Sequence, residues 1–230
     1  MANPSKVLAK VEQIDSKGDG VYQLTFSVPS RYTKYLAGQF LHLTLEEFDP
    51  TTGYWPESRV FSIASRPRQE HLIVVYSVKG AYTKRMEKEL AVGSEVWLKL
   101  PYGDFVIEES PVGSPPLVLV AGGTGVSPYI PFLLQPRETS GPVHLYYGVR
   151  KAEHQLFARE LEQLKAQPWF HLHLVVGQLL TLDQMATDLG AAFAKAHFYL
   201  SGPPVMIKTF RTQLAERGLA GIQIHIDEWE

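Results

Sequence analysis

The chain has 230 residues, a formal net charge of −2, 45% hydrophobic residues and 20% charged ones, with acids and bases balanced in both halves. That size buries a core without staples, that composition excludes a disordered chain, and that balance advertises neither nucleic acid nor an anionic membrane. Cysteine is absent, so this chain offers no disulfide, thiolate zinc site, cysteine-held iron–sulfur cluster or cysteine nucleophile.

The start, MANPSKVLAK, lacks the apolar stretch of a secretory signal, which predicts a cytoplasmic location. Val7, Ala9 and Val11 then alternate with Leu8, Lys10 and Glu12. Val21–Val28, Phe40–Leu45, Arg59–Ile63, Leu72–Val78 and Glu95–Leu100 follow as short runs of β-branched and aromatic residues between Gly, Pro and Asp turns. Six such runs predict an antiparallel barrel or sandwich. Tyr82, Met86 and Leu90 recur every four residues, which predicts one short helix before the last run.

Glu109–Pro116 reads as a linker, dividing the chain into domains 1–110 and 111–230. Beyond it the rhythm alternates between strand and helix. Leu117–Ala121 is continuously apolar, as in a parallel strand buried on both faces, and is too short to span a bilayer. Val143–Tyr147, Leu172–Val176, His197–Leu200 and Ile222–Ile226 are further strands. Helices are predicted over Glu153–Ala166, Leu182–Leu189 and Pro204–Arg217, the last burying Met206, Phe210 and Leu214. Alternating units of this kind build a doubly wound parallel α/β sheet. His171 and His173 share one strand face, yet no third ligand is spaced for a metal.

Gly122-Gly-Thr-Gly-Val-Ser-Pro128 follows the buried strand directly. Pro128 suits a first helical turn and Ser127 an N-cap. Such a loop aims backbone N–H groups and a helix dipole at one point, an anion site. The spacing lacks the third glycine of the usual dinucleotide fingerprint, and neither a phosphate-binding ATPase loop nor a nucleophile elbow is present.

Several motifs now fall in order. Arg59-Val60-Phe61-Ser62 resembles the Arg-x-Tyr-[Ser/Thr] motif of the ferredoxin–NADP reductase superfamily. Gly80-Ala81-Tyr82-Thr83, after Val78, resembles its Gly-x-x-[Ser/Thr] motif. The loop containing Gly123, Thr124, Gly125 and Ser127 resembles its nucleotide loop, and Ser201-Gly202-Pro203 its Cys-Gly-Pro motif. Gly38-Gln39-Phe40 is similar to its entry into the third strand. The resemblance spans about residues 5–229. It implies an N-terminal flavin-binding Greek-key barrel and a C-terminal nicotinamide-nucleotide domain.

The resemblance also implies roles. Arg59 would pair with the flavin pyrophosphate, Phe61 would stack on the isoalloxazine, and Ser62 would hydrogen-bond near N5. Gly80 to Thr83 would open a helix onto the pyrophosphate, and Ser201 would lie beside the nicotinamide. The family's Tyr is Phe61 here, which loses a hydroxyl and keeps the stacking ring, and its Cys is Ser201, which implies hydride transfer that is retained but slower. Trp229 matches a terminal aromatic that covers the flavin in some relatives. The expected cofactors are FAD rather than FMN, with NAD(P)H. The family's Ser-Arg pair for a 2′-phosphate is Gly177-Gln178 here, leaving Arg150 and Lys151 as nearby cations and favouring NADH. The implied activity is hydride transfer from NAD(P)H to flavin, then electron delivery to an external acceptor such as a ferredoxin. Two other readings stay open: a reductase of free flavin, and a non-catalytic nucleotide sensor or electron-transfer subunit.

Overall fold

The computed structural model describes residues 4–137 and 140–227. The chain divides into two compact units. One runs through Ile107 and includes Ser127–Gln135; the other comprises Glu108–Val126 and the chain from Pro136 onward.

The first unit contains six antiparallel strands: β1 (Ser5–Ser16), β2 (Val21–Ser27), β3 (Phe40–Thr44), β4 (Arg59–Ser62), β5 (His71–Ser77) and β6 (Glu95–Tyr102). They pair in the order β4-β3-β6-β1-β2-β5. An Ile63↔Val74 bridge joins the two outer strands and closes the sheet into a near-barrel. Closure removes the open edges that invite aggregation. Alternate residues enter the core: Val7, Ala9 and Val11 from β1, Leu24 and Phe26 from β2, Leu41 and Leu43 from β3.

Helix α1 (Ala81–Glu89) adds Tyr82 and Met86 to this core, one turn apart as their spacing requires. The Tyr82 hydroxyl donates to Leu43 O at 2.9 Å and accepts from Leu45 N–H at 3.1 Å. It therefore fixes the helix to the end of β3. Tyr82→Phe keeps the ring and strands both backbone groups, so it is expected to cost about 1–3 kcal/mol. Urea denaturation of the two proteins checks this.

The second unit holds a five-stranded sheet whose strands all run parallel. They are β7 (Leu117–Gly122), β8 (Val143–Val149), β9 (Phe170–Val176), β10 (His197–Ser201) and β11 (Ile224–Ile226), in the order β11-β10-β7-β8-β9. Central β7 is buried from Leu117 to Ala121, which is why its sequence does not alternate. A short helix α2 (Ile130–Leu133) lies between β7 and β8 in sequence and α3 (Ala158–Leu164) between β8 and β9. Helices α4 (Leu182–Leu189) and α5 (Pro204–Glu216) bury Met185, Phe210 and Leu214 against Val118, Val120 and Phe198 on one face. On the opposite face the Tyr147 hydroxyl accepts from Leu156 N–H at 3.1 Å, tying down the chain that leads into α3. Among the described residues no helix is long and apolar enough to cross a membrane.

Four local expectations need correction. Helix α5 buries Ile207 with Phe210 and Leu214, while Met206 is only half-buried. The helix predicted from Glu153 begins only at Ala158, because Phe157 takes a left-handed φ of 54° and interrupts the chain after a 3₁₀ turn at Ala152–His154. The last strand starts at Ile224, leaving Ile222 80% exposed. Ser127 is not an N-cap. The chain from Gly123 to Tyr129 winds as 3₁₀ helix, and its α-helical continuation α2 begins only at Ile130.

Candidate functional site

The barrel unit brings Arg59 to the first turn of α1, which Gly80 to Thr83 open. Arg59 is the first residue of β4 and exposed, with its guanidinium 4.7 Å above the Tyr82 ring. Nη2 pairs with Glu57 at 2.8 Å and Nη1 donates to Ser58 O at 2.8 Å. The Thr83 hydroxyl folds back to accept from Lys79 and Gly80 N–H groups at 2.9 and 3.1 Å. The Lys84 N–H bonds Gly80 O at 3.0 Å. The amides of Ala81, Tyr82 and Thr83 precede it on the first turn, where helices leave N–H groups without intrahelical acceptors. A cation and a helix N-terminus thus lie together, an arrangement that attracts phosphate.

Phe61 is buried edge-on to Tyr76, ring centroids 6.2 Å apart, and belongs to the barrel core. Val60 is half-buried, as is Val78, which packs against that core. Ser62 pairs through its backbone with Phe40. Its hydroxyl forms no hydrogen bond among the described residues.

In the second unit the glycines serve backbone contact. A β-carbon on Gly125 would stand 2.3 Å from Ser201 O and 2.7 Å from Gly202 Cα. One on Gly202, whose φ is +148°, would stand 2.9 Å from Gly122 N, and one on Gly122 2.7 Å from the Pro203 ring. The ends of β7 and β10, paired through Ala121↔Ser201, therefore meet with no room for side chains. Gly123 is different: it is exposed with φ +57°, and nothing lies within 4 Å of a β-carbon there. Thr124 is half-buried and Pro203 exposed. Ser127, where the chain passes back to the first unit, is 2% exposed, and its Oγ has no partner among the described residues. Arg150 is exposed just past the end of β8, with its carbonyl 3.7 Å from a β-carbon built on Gly177.

Ser201 is 2% exposed and donates to Asp227 Oδ2 at 2.8 Å. Sequence reasoning missed Asp227. The signal was there in outline: Ile226 pairs with Leu200, so an acid following the last strand must lie beside Ser201. Finding it required knowing that β11 is β10's neighbour. Burial pushes the Asp227 carboxyl up to about 7 against the opposing effect of the Ser201 hydrogen bond. Trp229 lies outside the described residues.

Residues 119–212 match the family described as the oxidoreductase NAD-binding domain. The anthranilate 1,2-dioxygenase electron transfer component of Acinetobacter baylyi is 27% identical over 97% of this chain and 66% of its own length. The phenol 2-monooxygenase reductase component of a Pseudomonas species is 31% identical over 79% of this chain and 54% of its own. The chain thus spans about half to two thirds of the curated relatives it matches. Among solved structures, a ferredoxin NADP+ reductase from Neisseria gonorrhoeae with bound FAD and NADP superposes with TM-score 0.78 at 20% identity, covering 99% of both chains. An Amycolatopsis cytochrome P450 reductase superposes with TM-score 0.80 at 21% identity, covering 98% of this chain and 70% of that one. Residues 119–212 thus match an oxidoreductase NAD-binding domain, and the chain as a whole shares the two-unit fold of these reductase structures.

Proposed function

We propose that this module takes hydride from NAD(P)H onto bound FAD and passes electrons to an external protein, an oxygenase component or a ferredoxin. The observation that carries this reading is the Arg59 guanidinium over Tyr82 at the first turn of α1. A planar guanidinium bonds two phosphate oxygens at once, and the α1 amides add donors on the same side. The residues therefore fit a flavin dinucleotide, and an extended pyrophosphate favours FAD over FMN. When bound, the flavin supplies the exchange between two-electron and one-electron chemistry. Glu57 holds Arg59 in the absence of phosphate and must yield to it. Ser62 keeps a hydroxyl free for a ring nitrogen, and half-buried Val60 supplies apolar surface, while Phe61 supports the strand from the barrel core.

In the second unit, the open backbone at Gly123, beside the close-packed Gly125 and Gly202, admits a nucleotide at the C-terminal edge of the sheet, the place where open parallel sheets bind ligands. Ser201 stands at that edge. Arg150 is exposed with its backbone beside Gly177, and position 178 is a glutamine rather than an arginine, which favours NADH over NADPH. The division of labour follows the domains 1–110 and 111–230. With no cysteine in the chain, the electrons leave it for a separate centre. The relatives' names, electron transfer and reductase components of oxygenases, support an acceptor of that class.

Anaerobic mixing with NADH and then NADPH tests the reading: the visible flavin band should bleach, faster with NADH. Arg59→Ala is expected to weaken flavin binding by about 1.5–3 kcal/mol, the worth of charge-assisted hydrogen bonds. Flavin affinity unchanged in a fluorescence titration would remove Arg59 from the site.

A further inference from the structure

The buried contact between Ser201 and Asp227 has consequences for which proton faces the ligand. The two side chains, 2% and 5% exposed, share a 2.8 Å hydrogen bond at the C-terminal edge of the sheet. Asp227 N–H is spent on Leu200 O at 2.9 Å. Among the described residues no charged side chain pairs with the carboxylate, and Ser201 is the one side chain bonded to it. Gly125 closes on the Ser201 backbone, and beside it Gly122, Gly202 and Pro203 close on one another, all through backbone and apolar atoms. Burial without a cation is what raises this carboxyl into the neutral range.

A serine hydroxyl has one proton and two lone pairs, and an ionised carboxylate only accepts. With Asp227 ionised, the Ser201 proton is committed to it, and Ser201 can offer a ligand only an acceptor. With Asp227 protonated, the carboxylic O–H donates to Ser201 Oγ and the serine proton turns outward. We propose that Asp227 is a positioning residue that sets the direction of the Ser201 hydroxyl, so that binding of a reduced nicotinamide nucleotide at this edge takes up one solvent proton at Asp227. The carboxamide oxygen receives the released hydroxyl; no covalent bond is made or broken. This rests on the reading of the edge as the nucleotide site.

The probe is tetrahydro-NAD, which keeps a carboxamide on an uncharged ring and gives no hydride. Calorimetry of the holoprotein in buffers of different ionisation heat should show uptake approaching one proton at about pH 8.5, fading towards pH 5.5. Its Kd should rise about tenfold per pH unit once Asp227 is ionised in the free protein. Asp227→Asn, whose amide donates to Ser201 at every pH, should bind tightly with a flat profile. Ser201→Ala should bind more weakly and lose the slope. Binding that is flat with pH in the unaltered protein overturns the proposal alone, whether or not the variants fold. A slope surviving Asp227→Asn assigns the proton elsewhere and also overturns it. No binding at any pH sinks the nucleotide reading and the proposal with it.

Discussion

Gly125→Ala is expected to abolish nucleotide binding and to cost about 3 kcal/mol or more of stability. The added methyl would sit 2.3 Å from Ser201 O and 2.5 Å from its carbonyl carbon. Both are backbone atoms of a buried parallel strand, so no flexible side chain can move aside. The loop must lift from the sheet, or β10 must shift against β7. Gly123→Ala is the control. It also adds one methyl, but into open space, and pays only for a φ of +57°, about 1 kcal/mol. Thermal melts and quenching of protein fluorescence by NADH separate the two. Comparable melts would mean that the glycines serve conformation rather than close approach.

Acid should destabilise the second unit through one histidine. His144 on β8 stacks on His171 at 4.6 Å, and its Nδ1 lies 3.1 Å from His173 Nε2. His173 in turn stacks on Tyr146 at 4.1 Å and faces Asp188 at 3.4 Å. Tyr146 also donates to Asp188, at 3.0 Å. Burial, followed by the charges of His171 and His173 and opposed by Asp188, lowers His144 to about 4. A base lowered in the folded state binds its proton more readily when unfolded. Stability from this site is therefore complete above pH 6.5 and is lost as pH falls towards 4. Half-burial leaves some screening, so the loss is about 2–3 kcal/mol. His144→Phe keeps the stack and cannot be protonated. Urea midpoints at about pH 7 and pH 4.5 should fall less in this variant than in the unaltered protein. Equal falls would assign the acid sensitivity to other groups.

The stacking also shows what strand periodicity could and could not reveal. That His171 and His173 share a face follows from alternation alone. That His144 and Tyr146 join them follows from β8 and β9 being neighbours in register, which the sequence does not state. Among the described residues these groups are not arranged to hold a metal.

Composition and periodicity were enough for the two-part architecture, because a half-buried strand, an amphipathic helix and a doubly buried strand each leave a distinct spacing of apolar residues. The resemblance to a known family marked Arg59, Gly80, Gly125 and Ser201, and at Gly125 a close backbone approach restricts the residue type locally. Only the tertiary structure decided that Tyr82 spends its hydroxyl on β3, that Phe61 is packed into the barrel, that Phe157 breaks its helix and that Asp227 lies against Ser201. Each depends on which distant segment becomes a neighbour, and burial and hydrogen bonding act through that neighbour rather than along the chain.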